Sequence, residues 1–226
     1  MVKDKAAWQA HSPQFAFAFT LACQGHTNEV RKGSNIPYVG HLLGVASSVI
    51  EAGGTLDQAC GALLHDLLED TPTTREELEA KTSKNITDIV WGCTDTTYAK
   101  KQEYKDTANK NAWTDQQKAD HWWEARKKPY IAKISQKSPT DPSLLVSLAD
   151  KTYNAENTVA DLRKCEPHLH YIVWSKFNVG HDYQCQWYQG LLKAFRKDGY
   201  SPGMQDLFQR FEIAVNEMFP QEGGES

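Results

Sequence analysis

Ala62-Leu-Leu-His65-Asp66-Leu-Leu-Glu69-Asp70-Thr71 is the stretch on which the reading of this chain turns. Within six residues it sets a histidine beside an aspartate, then a glutamate beside an aspartate, with leucines between. Upstream, Thr55 with Gln58 three residues on forms a capping box, a signature of a helix start. Leu56, Ala59, Cys60, Leu63, Leu64 and Leu67 then follow the helical period, and Thr71-Pro72 stops the run. At roughly 100° per residue the apolar positions fill one arc of the helix. His65 with Glu69, and Asp66 with Asp70, fall in the adjoining arc as two i,i+4 pairs. One helix is therefore expected to hold its apolar side in the core and present all four polar groups to a cleft.

The surrounding chain reads as helices throughout. Phe15-Ala-Phe-Ala-Phe-Thr-Leu-Ala22 has the apolar content of a strand, but its alanines and length favour a buried helix. Gly25 to Pro37 is loop, and a helix from about His41 to Ala52 closes at Gly53-Gly54. Thr74 and Glu77 make a second capping box for a helix near 75–95. Thr94 to Pro129 is polar and charged, and is expected to be loop in its middle with one helix near 115–128. Pro142 suits the first turn of a helix running to about Leu162, on which Asp150 and Asn154 share a face. A final helix or two fill Tyr171 to Met218. No internal repeat and no linker interrupt the chain. The expectation is one all-α domain over 1–220, with its site in a cleft between helices and a disordered tail at 221–226.

Two more words complete a ligand set: Pro37-Tyr-Val-Gly-His41 upstream and Ser147-Leu-Ala-Asp150-Lys-Thr-Tyr-Asn154 downstream. His41, His65, Asp66 and Asp150 would give a mixed nitrogen and oxygen site suited to Mn²⁺ or another divalent transition metal such as Fe²⁺ or Zn²⁺. The absence of thiolate argues against a structural zinc site. Taken singly, each of these residues is more often a packed histidine or a solvated acid; the ordered set is hard to obtain by chance. Glu69 and Asp70 add a second argument. Four acidic or ligating groups on one and a half turns repel one another, and acids in a last turn oppose the helix dipole. A bound cation removes that conflict and leaves Glu69 and Asp70 where a carboxylate can orient water and take its proton.

A chain of 226 residues, 40% of them hydrophobic, can bury one substantial core. A net charge of −4 and a pI near 6.1 argue against a general nucleic-acid or membrane-surface binder. No apolar run is long enough to span a bilayer, and the first residues lack the apolar core of a signal peptide. Five scattered cysteines form no CxxC pair, as for reduced thiols in a cytoplasmic protein.

In this order the words resemble the HD metal-dependent phosphohydrolase superfamily, and more narrowly the hydrolase domain of the Rel/SpoT enzymes and the stand-alone small alarmone hydrolases. Arg31-Lys-Gly-Ser-Asn-Ile-Pro-Tyr-Val-Gly-His41 resembles a family word in which Arg-Lys and a Gly-containing loop lead into Pro-Tyr-Ile-x-His. Gly44-Val-Ala46, the His65-Asp66…Glu69-Asp70-Thr71 word and Leu148-Ala-Asp-Lys-Thr-Tyr-Asn-Ala155 follow, so the resemblance covers about 15–200. Trp174-Ser-Lys-Phe-Asn178 and Gln186-Trp-Tyr188 resemble a closing helix of small members. The family's proline after the first histidine is Leu42 here, and an arginine common in the closing helix is His181. The resemblance implies Mn²⁺ and removal of the 3′-pyrophosphate of (p)ppGpp. It further implies His41, His65, Asp66 and Asp150 as ligands, and Glu69 and Asp70 as the water-activating pair. Asn154, Arg31 and Lys32 would contact the nucleotide. Lys127, in a basic run on a predicted helix, is a further phosphate candidate.

Other readings keep the chemistry and change the substrate, to a ppApp-type alarmone or the 2′-phosphate of NADPH. A small hydrolase of this kind would also serve as antitoxin to a toxic alarmone synthetase. A non-enzymatic nucleotide-sensing or partner-binding module is the reading from another class, although a degenerate member should have lost ligands and this chain keeps all six residues. Trp122-Trp123 suggests core packing more than a scaffold surface.

Overall fold

Among the described residues no strand accompanies the helices, and the single extended pairing is an antiparallel bridge between Val30 and Pro37. The structure, a computed structural model, describes residues 12–177 and 179–220. It divides into two compact helical units. The first runs to Lys101 and includes Asp141–Asp150; the second comprises Gln102–Thr140 and the chain from Lys151 on.

In the first unit, α1 (Ser12–Gly25), α2 (Val39–Glu51), α3 (Leu56–Leu64), α4 (Leu67–Asp70), α5 (Arg75–Lys81) and α6 (Lys84–Cys93) follow in order. The expected α2 ends where glycine was read to end it, with Gly53 at φ 81°. Thr55 and Gln58 form the capping box, Gln58 N–H donating to Thr55 Oγ1 at 3.2 Å and Thr55 N–H to Gln58 Oε1 at 2.8 Å. Gln58 Nε2 also donates to the carbonyl of Pro142 at 2.9 Å, tying α3 to the start of α10 (Pro142–Leu162). Helix α3 packs against α1, α2 and α6 and is the centre of this unit. Leu63 and Leu64 are fully buried, each worth about 1.5–3 kcal/mol. A Cβ on Gly61 would lie 2.6 Å from Ile89 Cγ2, so α3 and α6 meet at a distance only glycine permits there.

The uninterrupted helix expected from Thr55 to Asp70 is a correction. It stops at Leu64, and His65-Asp66 forms a turn before α4, with Asp66 at φ −93°, ψ −5°. His65 Nδ1 lies 2.7 Å from the carbonyl of Ala62, the acceptor a continuous helix would offer to the Asp66 N–H. The expected helix 75–95 keeps its Thr74–Glu77 box but breaks at Thr82-Ser83, where Ser83 caps a new start.

In the second unit, the middle of Thr94–Pro129 is not loop. The helix α7 (Tyr98–Lys110), which begins in the first unit, runs through it, and only Ala108 on it is buried, so it has no apolar stripe to read. After α8 (Asp115–His121), Trp122–Lys127 is π-helical and leads into α9 (Lys128–Gln136). Pro129 lacks the N–H that an i→i−4 ladder needs, and the wider turns lie just before it. The helix expected from Pro142 to Leu162 is found with those bounds. Beyond it come α11 (His170–Trp174), α12 (Gly180–Phe195) and α13 (Pro202–Met218), with Phe195 and Phe211 in a buried edge-to-face pair. Trp122 meets Trp187 edge-on at 6.3 Å, which favours packing for that aromatic. His181 lies against Trp174 and Phe219. Asn178 and the tail 221–226 lie outside the described residues. The five cysteines are free, and no described helix is long and apolar enough to cross a membrane.

Candidate metal centre

Three elements of the first unit converge on one buried point. Helix α2 brings His41 in its first turn, the end of α3 brings His65 and then Asp66, and the N-terminal part of α10 brings Asp150. His41, His65 and Asp150 are 2%, 3% and 5% exposed, and one ligand atom from each lies within 4.8 Å of the others. His41 Nε2 is 3.2 Å from Asp150 Oδ1 and 3.6 Å from Asp66 Oδ2. His65 Nε2 is 3.0 Å from Asp66 Oδ2 and 3.5 Å from Asp150 Oδ1.

The donor set fits a divalent cation. With Nδ1 of His65 turned to the Ala62 carbonyl, its Nε2 faces two carboxylate oxygens and makes no hydrogen bond of acceptable geometry. Two buried imidazoles with the carboxylates of buried Asp150 and half-buried Asp66 gather negative charge that a largely desolvated site does not tolerate without a counter-cation. In the metal-free protein, burial opposes charge on His65, but Asp66 and Asp150 outweigh it and raise its pKa well above the usual histidine value. Burial likewise pushes Asp66 up, and His65 with His41 overcomes this and holds it well below the usual carboxylate range. Positive charge is thus drawn to the point between these residues. These side chains are suited to hold a divalent metal.

Helix α4 carries Glu69 and Asp70 one turn past His65 and Asp66. Glu69 is held at both oxygens: Oε1 accepts from the Asp95 N–H at 2.8 Å and Oε2 from Lys101 Nζ at 3.1 Å. Lys101 also donates to Asp70 Oδ1 at 2.9 Å. Burial, with Asp66 second, raises the Asp70 pKa against the pull of Lys101. Tyr38, the residue before α2, donates its hydroxyl to Asp66 Oδ2 at 2.6 Å. Burial together with Asp66 and Asp70 raises the Tyr38 pKa well above the usual phenol value, so it remains a donor.

The structure therefore brings His41, His65, Asp66, Asp150, Glu69 and Asp70 into one unit. Arg31 and Lys32 sit in the same unit, on the loop entering α2, where Arg31 N–H donates to the Ile36 carbonyl at 2.9 Å and Gly33 turns the chain at φ 70°. Asn154 follows Asp150 by one turn of α10, in the part belonging to the second unit. Lys127 is also in the second unit, with Nζ 5.4 Å and 4.6 Å from the ring centres of Trp122 and Trp187. Sequence reasoning missed Lys101 and gave Tyr38 no role. Tyr38 stood inside the quoted word before His41; Lys101 bonds residues more than thirty positions away, and no local pattern announces that.

The HD-domain family matches residues 18–170. The chain is 32% identical over 182 residues to a Xenopus tropicalis protein named guanosine-3′,5′-bis(diphosphate) 3′-pyrophosphohydrolase MESH1, covering 79% of this chain and 83% of that one. It is 27% identical over 217 residues to the human protein of the same name, covering 95% and 97%. A solved structure described as a metazoan ortholog of SpoT that hydrolyzes ppGpp superposes with a TM-score of 0.59, at 22% identity over 93% of this chain and 96% of that one. At that identity the likeness speaks to the fold.

Proposed function

The chain belongs to the HD-domain family, and from that premise we propose that it is a metal-dependent hydrolase of (p)ppGpp that removes the 3′-pyrophosphate to give GDP or GTP. The observation that carries the reading is the buried His41, His65 and Asp150 set with the half-buried Asp66 against it, and Glu69 and Asp70 on the next turn. It occurs in a chain 32% identical to a protein named for that activity.

The proposed ligands are those four side chains; imidazole with carboxylate suits Mn²⁺, Fe²⁺ or Zn²⁺, and the resemblance to the alarmone hydrolases selects Mn²⁺ for the proposal. A divalent cation bound there supplies Lewis acidity toward phosphoryl oxygen and lowers the pKa of water. Glu69, tied at both oxygens, orients the attacking water. Asp70, its pKa raised by desolvation and by the neighbouring Asp66, takes the proton. Lys101 offsets the repulsion between the two carboxylates. Water oxygen bonds to the phosphorus attached at the 3′ position, the P–O3′ bond breaks, and the 3′ oxygen gains a proton. Arg31 and Lys32 pair with phosphates of the nucleotide; Asn154 and Lys127 complete the proposed substrate contacts. In a cell with a toxic alarmone synthetase, such an enzyme would act in the cytoplasm as its antagonist.

The test is product analysis of ppGpp, pppGpp, ppApp and NADPH with purified protein and Mn²⁺. The expected result is pyrophosphate with GDP from ppGpp and with GTP from pppGpp, lost on chelation. Turnover of ppApp or NADPH with none of ppGpp would overturn the guanine reading; turnover of none of them would overturn the enzymatic one.

A further inference from the structure

A closed set of contacts stands behind the metal centre and has no part in the steps above. His26, at the end of α1, has a side chain with no exposure, and its Nδ1 lies 2.7 Å from Glu29 Oε2. Its other nitrogen, Nε2, is buried without a hydrogen-bond partner. The ring is therefore held by Glu29 on one side and by its stack on Tyr38, 5.1 Å between ring centres at 28°. Tyr38 is tied back in turn, because its N–H donates to the carbonyl of Glu29 at 2.9 Å. The Val30–Pro37 bridge and the Arg31–Ile36 hydrogen bond close the loop between them. Glu29, His26 and Tyr38 thus form a triangle of one side-chain hydrogen bond, one ring stack and two backbone bonds, the second from Glu29 N–H to the His26 carbonyl at 3.1 Å. Two contacts join that triangle to the ligand set: Tyr38 Oη donates to the Asp66 oxygen that faces both histidines, and the Tyr38 ring meets His41 edge-on, 5.3 Å between ring centres.

We infer that Glu29 and His26 are positioning residues for the metal centre, acting through the Tyr38 hydroxyl, which selects the orientation in which Asp66 Oδ2 meets His41 and His65. A phenol bonded to one carboxylate oxygen restricts rotation of that carboxylate, as outer partners of metal ligands commonly do. Burying this ring with Nε2 unsatisfied costs stability; the Nδ1–Glu29 bond offsets part of that cost and fixes the plane on which Tyr38 rests. The same triangle is the base of the loop carrying Arg31 and Lys32, so it couples that loop to the ligand set.

This inference rests on the reading of Asp66 as a ligand, and the experiment separates the two. Mn²⁺ affinity is measured calorimetrically on the metal-free protein, without substrate, for Asp66→Ala, Tyr38→Phe, Glu29→Ala, Glu29→Gln and the Tyr38→Phe/Glu29→Ala pair. Circular dichroism checks that each is folded. Tyr38→Phe keeps the ring on His26 and removes only the hydroxyl; it is expected to weaken Mn²⁺ binding about 10–100-fold. Glu29→Ala should weaken it in the same direction, and Glu29→Gln, which still accepts from Nδ1, should restore most of the loss. In the Tyr38→Phe background Glu29→Ala should add clearly less than in wild type, because the part of its effect carried by the hydroxyl is gone. Wild-type affinity in folded Tyr38→Phe, or an undiminished Glu29→Ala effect in that background, would overturn the positioning role. Unchanged binding in Asp66→Ala would instead overturn the ligand reading beneath it.

Discussion

Replacing Glu69 by glutamine tests the division of labour between the two carboxylates of α4. In the native protein Oε1 accepts from a backbone N–H fixed by the chain at Asp95, and Oε2 from the more adaptable ammonium of Lys101. Glutamine has one acceptor oxygen. It should stay on the Asp95 N–H, which turns the amide NH₂ toward Lys101 and sends that cation wholly to Asp70, already 2.9 Å away. A hydrogen bond to a charged group contributes about 1.5–3 kcal/mol, but Lys101 keeps a partner, so the loss of stability should be below about 1 kcal/mol. Catalysis should suffer more, because water loses its orienting carboxylate while Asp70, paired more tightly, becomes a weaker base. The expected fall in kcat is about 10²-fold or more, equivalent to at least about 2.7 kcal/mol of transition-state stabilisation. Steady-state kinetics on ppGpp with Mn²⁺ content measured on the same sample would decide it. A kcat within threefold of wild type at full metal loading would refute the reasoning, and loss of metal would show that Glu69 serves the ligand set instead.

Asp66→Ala should abolish both Mn²⁺ retention and turnover with far-ultraviolet dichroism nearly unchanged; normal metal content would remove Asp66 from the ligands. Saturating wild-type protein with Mn²⁺ at about 100 times its Kd should stabilise it by about 2.7 kcal/mol, seen as a rise in Tm that chelator reverses and that Asp66→Ala lacks. Arg31→Ala should lower kcat/KM on ppGpp by about ten- to a hundredfold at low salt, as for a lost charged contact, and an unchanged value would exclude a phosphate role. Gly61→Ala should destabilise by about 1–3 kcal/mol through overpacking against Ile89 Cγ2, and Ile89→Ala, which removes that methyl, should cost less in the Gly61→Ala background than in wild type in thermal melts; a neutral Gly61→Ala would mean that the α3–α6 spacing gives way freely.

The parts legible in sequence were those that rest on local chemistry. Thr55–Gln58 and Thr74–Glu77 cap as read, Pro142 opens α10 where expected, and the ligand words lie on helices that meet. What escaped has physical reasons. The break at His65-Asp66 turns on a side chain taking a backbone acceptor, and no hydrophobic period records that. Helix α7 buries little of its surface, so periodicity had nothing to report. Lys101 and Tyr38 act across sequence distances that only the tertiary structure closes.

The close approach at Gly61 has a consequence for engineering. Gly61 stands one helical turn before His65, so the separation of α3 and α6 that it permits also sets where the imidazole ends up. A library that seeks new substrates by varying the helices around the metal would spend most of its members on displaced ligands. Variation confined to 31–36, where Lys32, Asn35 and Ile36 are exposed and the strand-like base at Val30 and Pro37 is left intact, should change what the protein recognises while leaving α3 undisturbed. The evolvable part of this chain is its loop, and the glycine is what must be spared.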